Sequence, residues 1–332
     1  MPASLPTRSM AISRFRVLAR DRLAAYSNFP WSLGVALGML VFFIPHPEWH
    51  LDLQWFRDQT DILHYPAYAH WIFALLGWLP EPVAYMGLSL ATTAGLYLAV
   101  RAFGGAHWVV FTSFAFAWIL FYGQLDGLVA GGLGLAWWAS GRNRPVLAGA
   151  GLILACLKPQ LSLPASLALW WWSPSRLKSL LVPVAVLLLS LVTSGFWIPV
   201  WLDRLGDSDQ WVLLSRNLSL WPQVGNWIFL IWPFILALPG SKERKLVAVL
   251  AGTALTSPYF PLPSAVLILA MGVPWWAWGI VQLPMLSFLV GSWIYFVGKA
   301  LPVTLLLWAL WPGLRNVLRR GSTQDRSRPS VQ

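Results

Sequence analysis

The chain alternates long apolar runs with short polar interruptions. Apolar stretches cover about residues 31–46, 67–79, 83–101, 107–122, 125–139, 146–172, 179–200, 224–239, 245–256, 262–282 and 286–312. A helix needs ~20 mostly apolar residues to cross a bilayer, and most of these runs come close to that length or exceed it. The stretches 67–79 and 245–256 fall short of it. They read as half-helices, which membranes tolerate where they are buried in protein or line a cavity. The pattern predicts an all-α, polytopic transmembrane bundle of about 10–11 helices over residues 31–312. A basic arm (1–30) precedes it, and a basic tail (313–332) follows, of which Gly321–Gln332 is expected to be disordered. No internal repeat or coiled-coil heptad is visible.

Charge orients the bundle. Basic residues gather in the arm (Arg8, Arg14, Arg16, Arg20, Arg22), in short loops (Arg142 and Arg144; Arg176 and Lys178; Lys242, Arg244 and Lys245), and in the tail (Arg315, Arg319, Arg320, Arg326, Arg328). Cytoplasmic loops carry such excesses, so both termini and the three basic loops are expected inside. The acid-rich loops 47–66 and 202–222 then fall outside. Three apolar segments lie between residues 67 and 122, where the flanking loops require an even number of crossings. The segment 67–79 is therefore read as re-entrant or interfacial.

Composition agrees. The chain is 58% hydrophobic and 11% charged, with a mean hydropathy of +0.62; soluble domains carry roughly 25% charged residues. The 24 tryptophans, many near the ends of apolar runs, fit interfacial belts. The net charge of +11 follows the topology rather than a nucleic-acid surface, and anionic lipid headgroups are a secondary reading. Cys156, the single cysteine, has no internal disulfide partner. No cleavable signal is expected at the N-terminus. The expected setting is a multi-pass protein of a bacterial cytoplasmic membrane.

Against this background the polar residues stand out. The segment Asp52–Tyr65 holds Asp52, Asp58 and Asp61, three of the chain's twelve acids. His46, His50, His64 and His70 lie in or beside it. A carboxylate at the membrane boundary is partly desolvated, which raises its pKa towards that of a useful general base. Asp52 is the candidate for that role, whereas Asp58 and Asp61 read as solvated loop acids. His46 and His50 have i,i+4 spacing, but Pro47 argues against a continuous helix there, and no metal site is expected. Gly123-Gln124-Leu125-Asp126-Gly127 interrupts two apolar runs, and Lys158 interrupts another. Charges in such places need a cavity or a partner. They either pair to hold the bundle together, or Lys158 neutralises a phosphate while Gln124 or Asp126 binds a polar ligand. Arg204 and Arg216 lie in the second acidic loop, where mutual pairing with its acids is an equal reading. Asn217-Leu218-Ser219 matches a glycosylation sequon, a pattern common by chance. Lys299 is assigned no role.

Taken in order, these motifs resemble the GT-C-type membrane glycosyltransferases, specifically the polyprenol-phosphate-mannose-dependent enzymes of glycosyltransferase family 87. Asp52-Leu53-Gln54-Trp55-Phe56 is similar to the family's aspartate and aromatic stretch after the first span. Tyr65-Pro66-Ala67-Tyr68, with Phe73–Pro80, looks like its Tyr-Pro-Pro motif and following apolar run. Gly123-Gln124-Leu125-Asp126, Gly141-Arg142-Asn143-Arg144, Ala148-Gly149 and Leu157-Lys158-Pro159 resemble its central block in order and spacing. Asn217–Leu220 and Ser257-Pro258-Tyr259 are weaker echoes. The chain departs from the pattern at Ala67 (proline in the family), at Asp126 (asparagine), and in its short first loop and overall length.

The resemblance implies an inverting hexosyl transfer, with mannose as the expected sugar, from a polyprenyl-phosphate sugar to a lipid or glycan acceptor at the outer face. Asp52 would act as general base. Tyr65, Gln124, Asp126, Lys158, Arg204 and Arg216 would bind the sugar or its phosphate. Neither a cofactor nor a nucleotide is implied; the lipid-linked sugar is a substrate. The alternatives are an inactive homologue, or a non-catalytic membrane protein or transporter of lipid-linked envelope precursors.

Overall fold

A computed structural model describes residues 29–46, 50–58, 65–206, 217–237, 239–286 and 292–325. The described residues are all-helical, and the only β contact among them is an isolated bridge between Asn217 and Pro261. The elements are α1 (Phe29–Phe43), α2 (Leu51–Asp58), α3 (His70–Trp78), α4 (Glu81–Phe103), α5 (His107–Phe111), α6 (Phe114–Tyr122), α7 (Asp126–Gly141) and α8 (Pro145–Ala155). They continue with α9 (Pro159–Trp172), α10 (Arg176–Ser194), α11 (Ile198–Gly206), α12 (Ile231–Ala237), α13 (Lys242–Thr256), α14 (Ala265–Leu269), α15 (Trp275–Gln282) and α16 (Ala300–Asp325).

Three helical stretches are long and apolar enough to cross a membrane: Glu81–Phe103, Arg176–Ser194 and Phe296–Arg315. The pair α6–α7 adds a fourth if its two halves, bent by 117°, make one span. The remaining apolar runs are broken into shorter helices. Several breaks have visible causes. Between α5 and α6, Ser113 Oγ accepts from Phe116 N and restarts the helix, while Gln282 binds Phe114 N and Thr112 O. Between α6 and α7, Gly123 adopts φ +69°, a left-handed conformation that suits glycine. The segment 67–79 forms a 3-10 turn and the nine-residue α3, too short to cross.

One expectation needs correction. The run 146–172 is not a single span. Its chain reverses at Cys156-Leu157-Lys158, so that α8 and α9 lie side by side against α7. Pro159 ends the preceding backbone pattern and opens α9 at its first turn, where its missing N–H costs nothing.

The core is built on α7, whose glycines admit neighbours on both sides. A Cβ on Gly127 would lie 2.2 Å from Thr92 O, and one on Gly134 would lie 2.7 Å from Ala99 Cα. Thus α4 and α7 run parallel in backbone contact. On the other side a Cβ on Gly132 would lie 2.2 Å from Ala155 N, and one on Gly151 would meet Ala136 N at 2.5 Å, so α8 runs antiparallel to α7. Small residues of this kind let helices approach closely where burial from lipid supplies little drive. The arrangement gives the bundle two distinct ends. Asp126, Lys158 and the start of α4 lie at one end; Arg142, Arg144 and Lys242 lie at the other.

Candidate functional site

At the polar end a charged network sits below the first amphipathic helix. Asp126 opens α7 and is fully buried; Lys158 precedes α9 and is nearly so. Their side chains meet, with Lys158 Nζ donating to Asp126 Oδ2 at 2.7 Å. The other carboxylate oxygen accepts from Ser264 Oγ at 2.6 Å. Of the two readings of these charges, the pairing is present. It does not exhaust Lys158, since an ammonium has three donors and Asp126 takes one.

Two tyrosines complete the cluster. Lys158 Nζ lies 5.9 Å from the Tyr65 ring centroid. Burial, opposed by Lys158 and reinforced by Asp52 and Asp126, holds the Tyr65 phenol above the ordinary tyrosine range. Burial, with Asp52 adding to it, does the same for Tyr259 in the turn after α13. Both phenols therefore stay protonated and available as hydrogen-bond donors. The same interactions locate Asp52: its charge reaches Lys158, Tyr65 and Tyr259. Asp52 is half-buried in the first turn of α2. It thus lies over the cluster on the same side of the bundle.

The position of Asp52 is set by how α2 is held. A Cβ on Gly123 would lie 2.9 Å from Leu53 Cβ, so α2 rests directly on the Gly123-Gln124 turn. Arg57 spans from α2 to the start of α4, with Nη2 donating to Leu79 O at 3.2 Å and Nη1 to Glu81 Oε2 at 3.4 Å. Phe56 stacks on Phe73 at 4.4 Å, and Tyr65 packs edge-on to both. Tyr68 donates to Cys156 O at 2.5 Å and ties the segment after Tyr65 to the reversal before Lys158.

Gln124 sits in the same turn. Thr92 Oγ1 donates to its backbone carbonyl at 3.0 Å, which fixes the loop. Its side-chain Oε1 is buried without a hydrogen-bond partner among the described residues. An orphaned acceptor of this kind costs roughly 1–3 kcal/mol, and a ligand hydroxyl would satisfy it. Gln160 Oε1, two residues after Lys158, is in the same condition.

Other candidates fare differently. Arg216, Asp61 and His64, and the side chain of Arg204, lie outside the described residues. Asp58 is exposed at the end of α2. His50 is engaged in packing: its ring stacks on Tyr85 at 3.6 Å, and Nε2 lies 3.0 Å from Phe43 O. No group of three or more metal-ligating side chains occurs among the described residues. The sequon at Asn217 is structural. Asn217 is buried, its Oδ1 accepts from Ser219 N and Phe260 N, and its Nδ2 donates to Pro258 O. Lys299 is also accounted for structurally, its buried ammonium donating to Ser219 O at 2.5 Å.

Ser264 and Tyr259 were not legible as site residues. Tyr259 carried only the weak Ser-Pro-Tyr echo, and a lone serine in an apolar run gives no signal. No family model matches the chain, and neither any curated protein nor any solved structure does.

Proposed function

We propose that the chain is an integral membrane glycosyltransferase that moves a hexose, with mannose as the favoured sugar, from a polyprenyl-phosphate donor to a lipid or glycan acceptor. The observation that carries this reading is the contact of Leu53 with Gly123, which sets Asp52, its chain neighbour in the first turn of α2, beside the turn that leads into the buried Asp126–Lys158 pair. In this reading Asp52 takes the proton of an acceptor hydroxyl, whose oxygen attacks the anomeric carbon. The bond from that carbon to the phosphate oxygen breaks, and polyprenyl phosphate leaves with the electron pair, inverting the anomeric centre.

The growing negative charge on the phosphate needs donors aimed at it beforehand. The Lys158 ammonium, beyond its bonds to Asp126 and Tyr65, supplies them together with the neutral phenols of Tyr65 and Tyr259. Gln124 Oε1 would accept from a sugar hydroxyl, which gives its orphaned oxygen a partner. Asp126 acts by holding Lys158 in place rather than by touching the sugar. Arg204 and Arg216, in the second loop, remain proposed phosphate contacts. Topologically, the termini and basic loops would be cytoplasmic and the Asp52 cluster extracytoplasmic, with the prenyl tail lying between helices. No metal or other cofactor is part of the proposal.

A second reading has its own support. Asp126 is fully satisfied by Lys158 and Ser264, as expected of a network that only braces a non-catalytic membrane protein or transporter. The two separate by assay. The purified protein, given radiolabelled polyprenyl-phosphate mannose and an extract of envelope lipids and glycans, should release polyprenyl phosphate and label an acceptor. Donor that stays intact with every acceptor fraction would favour the bracing reading.

A further inference from the structure

The opposite end of the bundle holds a second feature that the sugar-transfer reading does not use. A cavity of about 650 Å³ opens there between the ends of α4, α7 and α9 and the start of α13. Its chemistry is set by Trp137, Trp138, Trp172, Arg142, Lys242 and Glu243. It lies roughly 22 Å from Asp126, the length of α7 at 1.5 Å per residue.

Among the lining side chains donors outnumber acceptors: Trp137, Trp138, Trp172, Arg142 and Lys242 donate, Ser140 can do either, and Glu243 accepts. The indole N–H groups of Trp137, Trp138 and Trp172 have no hydrogen-bond acceptor among the described residues, whereas Trp170, Trp197 and Trp278 each have one. Arg142 lies over the Trp138 ring at 4.4 Å, and Arg144 approaches the same ring at 5.5 Å. Stacking on an aromatic face uses the guanidinium's plane and leaves its N–H edges to bind elsewhere. Lys242 adds a second cation to the lining, against the single carboxylate of Glu243. Such side chains fit a ligand that carries negative charge and accepts hydrogen bonds, as a phosphodiester does.

The surroundings say what carries that phosphodiester. The cavity sits where the candidate span Glu81–Phe103 ends, and on α9, which lines it through Leu169 and Trp172, the Leu167 and Trp171 side chains are exposed, as is Leu177 at the start of α10. Exposed apolar side chains beside a ring of tryptophans and cations match the acyl-to-headgroup boundary of a bilayer. We propose that this cavity binds the headgroup of an anionic membrane phospholipid, its acyl chains lying against those exposed apolar side chains. The inference is independent of the glycosyl-transfer reading, since it needs only that the bundle lie in a membrane.

The test is native mass spectrometry of the full chain, titrated in detergent with phosphatidylglycerol or phosphatidylcholine. Phosphatidylglycerol should bind selectively. The double variant Arg142→Gln/Lys242→Gln should weaken it roughly 30-fold, about fivefold per cation removed, with phosphatidylcholine binding unchanged. Glu243→Gln, which removes the opposing charge without touching a packed residue, should strengthen phosphatidylglycerol binding. Equal binding of the two lipids, or glutamine variants that leave phosphatidylglycerol affinity unchanged, would overturn the proposal. Displacement of phosphatidylglycerol by millimolar inorganic phosphate would assign the cavity to a soluble phosphate ligand and overturn it equally.

Discussion

Removing Lys158 should unsettle the protein far more than removing the pair. Lys158 and Asp126 lie 2.7 Å apart with side-chain exposures of 5% and 0%. At an effective dielectric of ~20, two charges at that distance attract by about 6 kcal/mol. Taking each ion out of water costs several kcal/mol, so the intact pair gains little over an apolar replacement. A single truncation has no such compensation. Lys158→Met leaves the Asp126 carboxylate buried with only Ser264 Oγ as partner, and should cost about 3–5 kcal/mol. Adding Asp126→Asn removes the stranded charge and should recover most of that loss. The measurement is unfolding of the detergent-solubilised protein by sodium dodecyl sulfate, followed through tryptophan fluorescence, over all four members of the cycle. Single losses below about 1 kcal/mol that simply add in the double variant would refute the buried pair.

Three further outcomes follow from particular contacts. Gly127→Ala should destabilise by roughly 1–3 kcal/mol, because its Cβ would sit 2.2 Å from Thr92 O and force α4 and α7 apart; the same unfolding assay reads it, and a neutral result would contradict the close helix pair. Gln282→Leu removes the part-buried bonds to Phe114 N and Thr112 O, at about 0.5–1.5 kcal/mol for each hydrogen bond lost, and a denaturant midpoint equal to wild type would show that Gln282 does not hold the break between α5 and α6. Gln124→Met removes an acceptor that has no partner, so stability should hold or rise while donor affinity falls about tenfold or more, near the value of one hydrogen bond to a charged or polar ligand. Unchanged donor binding in a folded Gln124→Met protein would take Gln124 out of the site.

The helical class and the two-ended charge pattern were legible because both rest on composition and long apolar runs. Legible too was the idea that Gln124, Asp126 and Lys158 belong together, since each interrupts an apolar run where a charge or amide needs a partner. The reversal at Cys156–Lys158 was hidden because residues on both sides are equally apolar, and only Pro159 punctuates them. Chain breaks such as that between α5 and α6 depend on Gln282, a contact 168 residues away from Phe114 that no local pattern carries. The same holds for Ser264, which reaches Asp126 across 138 residues. The seat of Asp52 was visible only in part: the acid could be singled out, but the Arg57–Glu81 clamp and the Leu53–Gly123 contact that hold it are tertiary.

The central claim is that the carboxylate of Asp52 carries out proton transfer at the polar cluster, and one paired measurement tests it most directly. Donor binding and sugar transfer would be measured side by side for the wild-type protein and Asp52→Asn, an isosteric change that removes only the basic oxygen. Binding within about threefold of wild type together with transfer reduced at least a hundredfold is the expected result, the latter within the range that a general base contributes. Transfer by Asp52→Asn at the wild-type rate would contradict the claim.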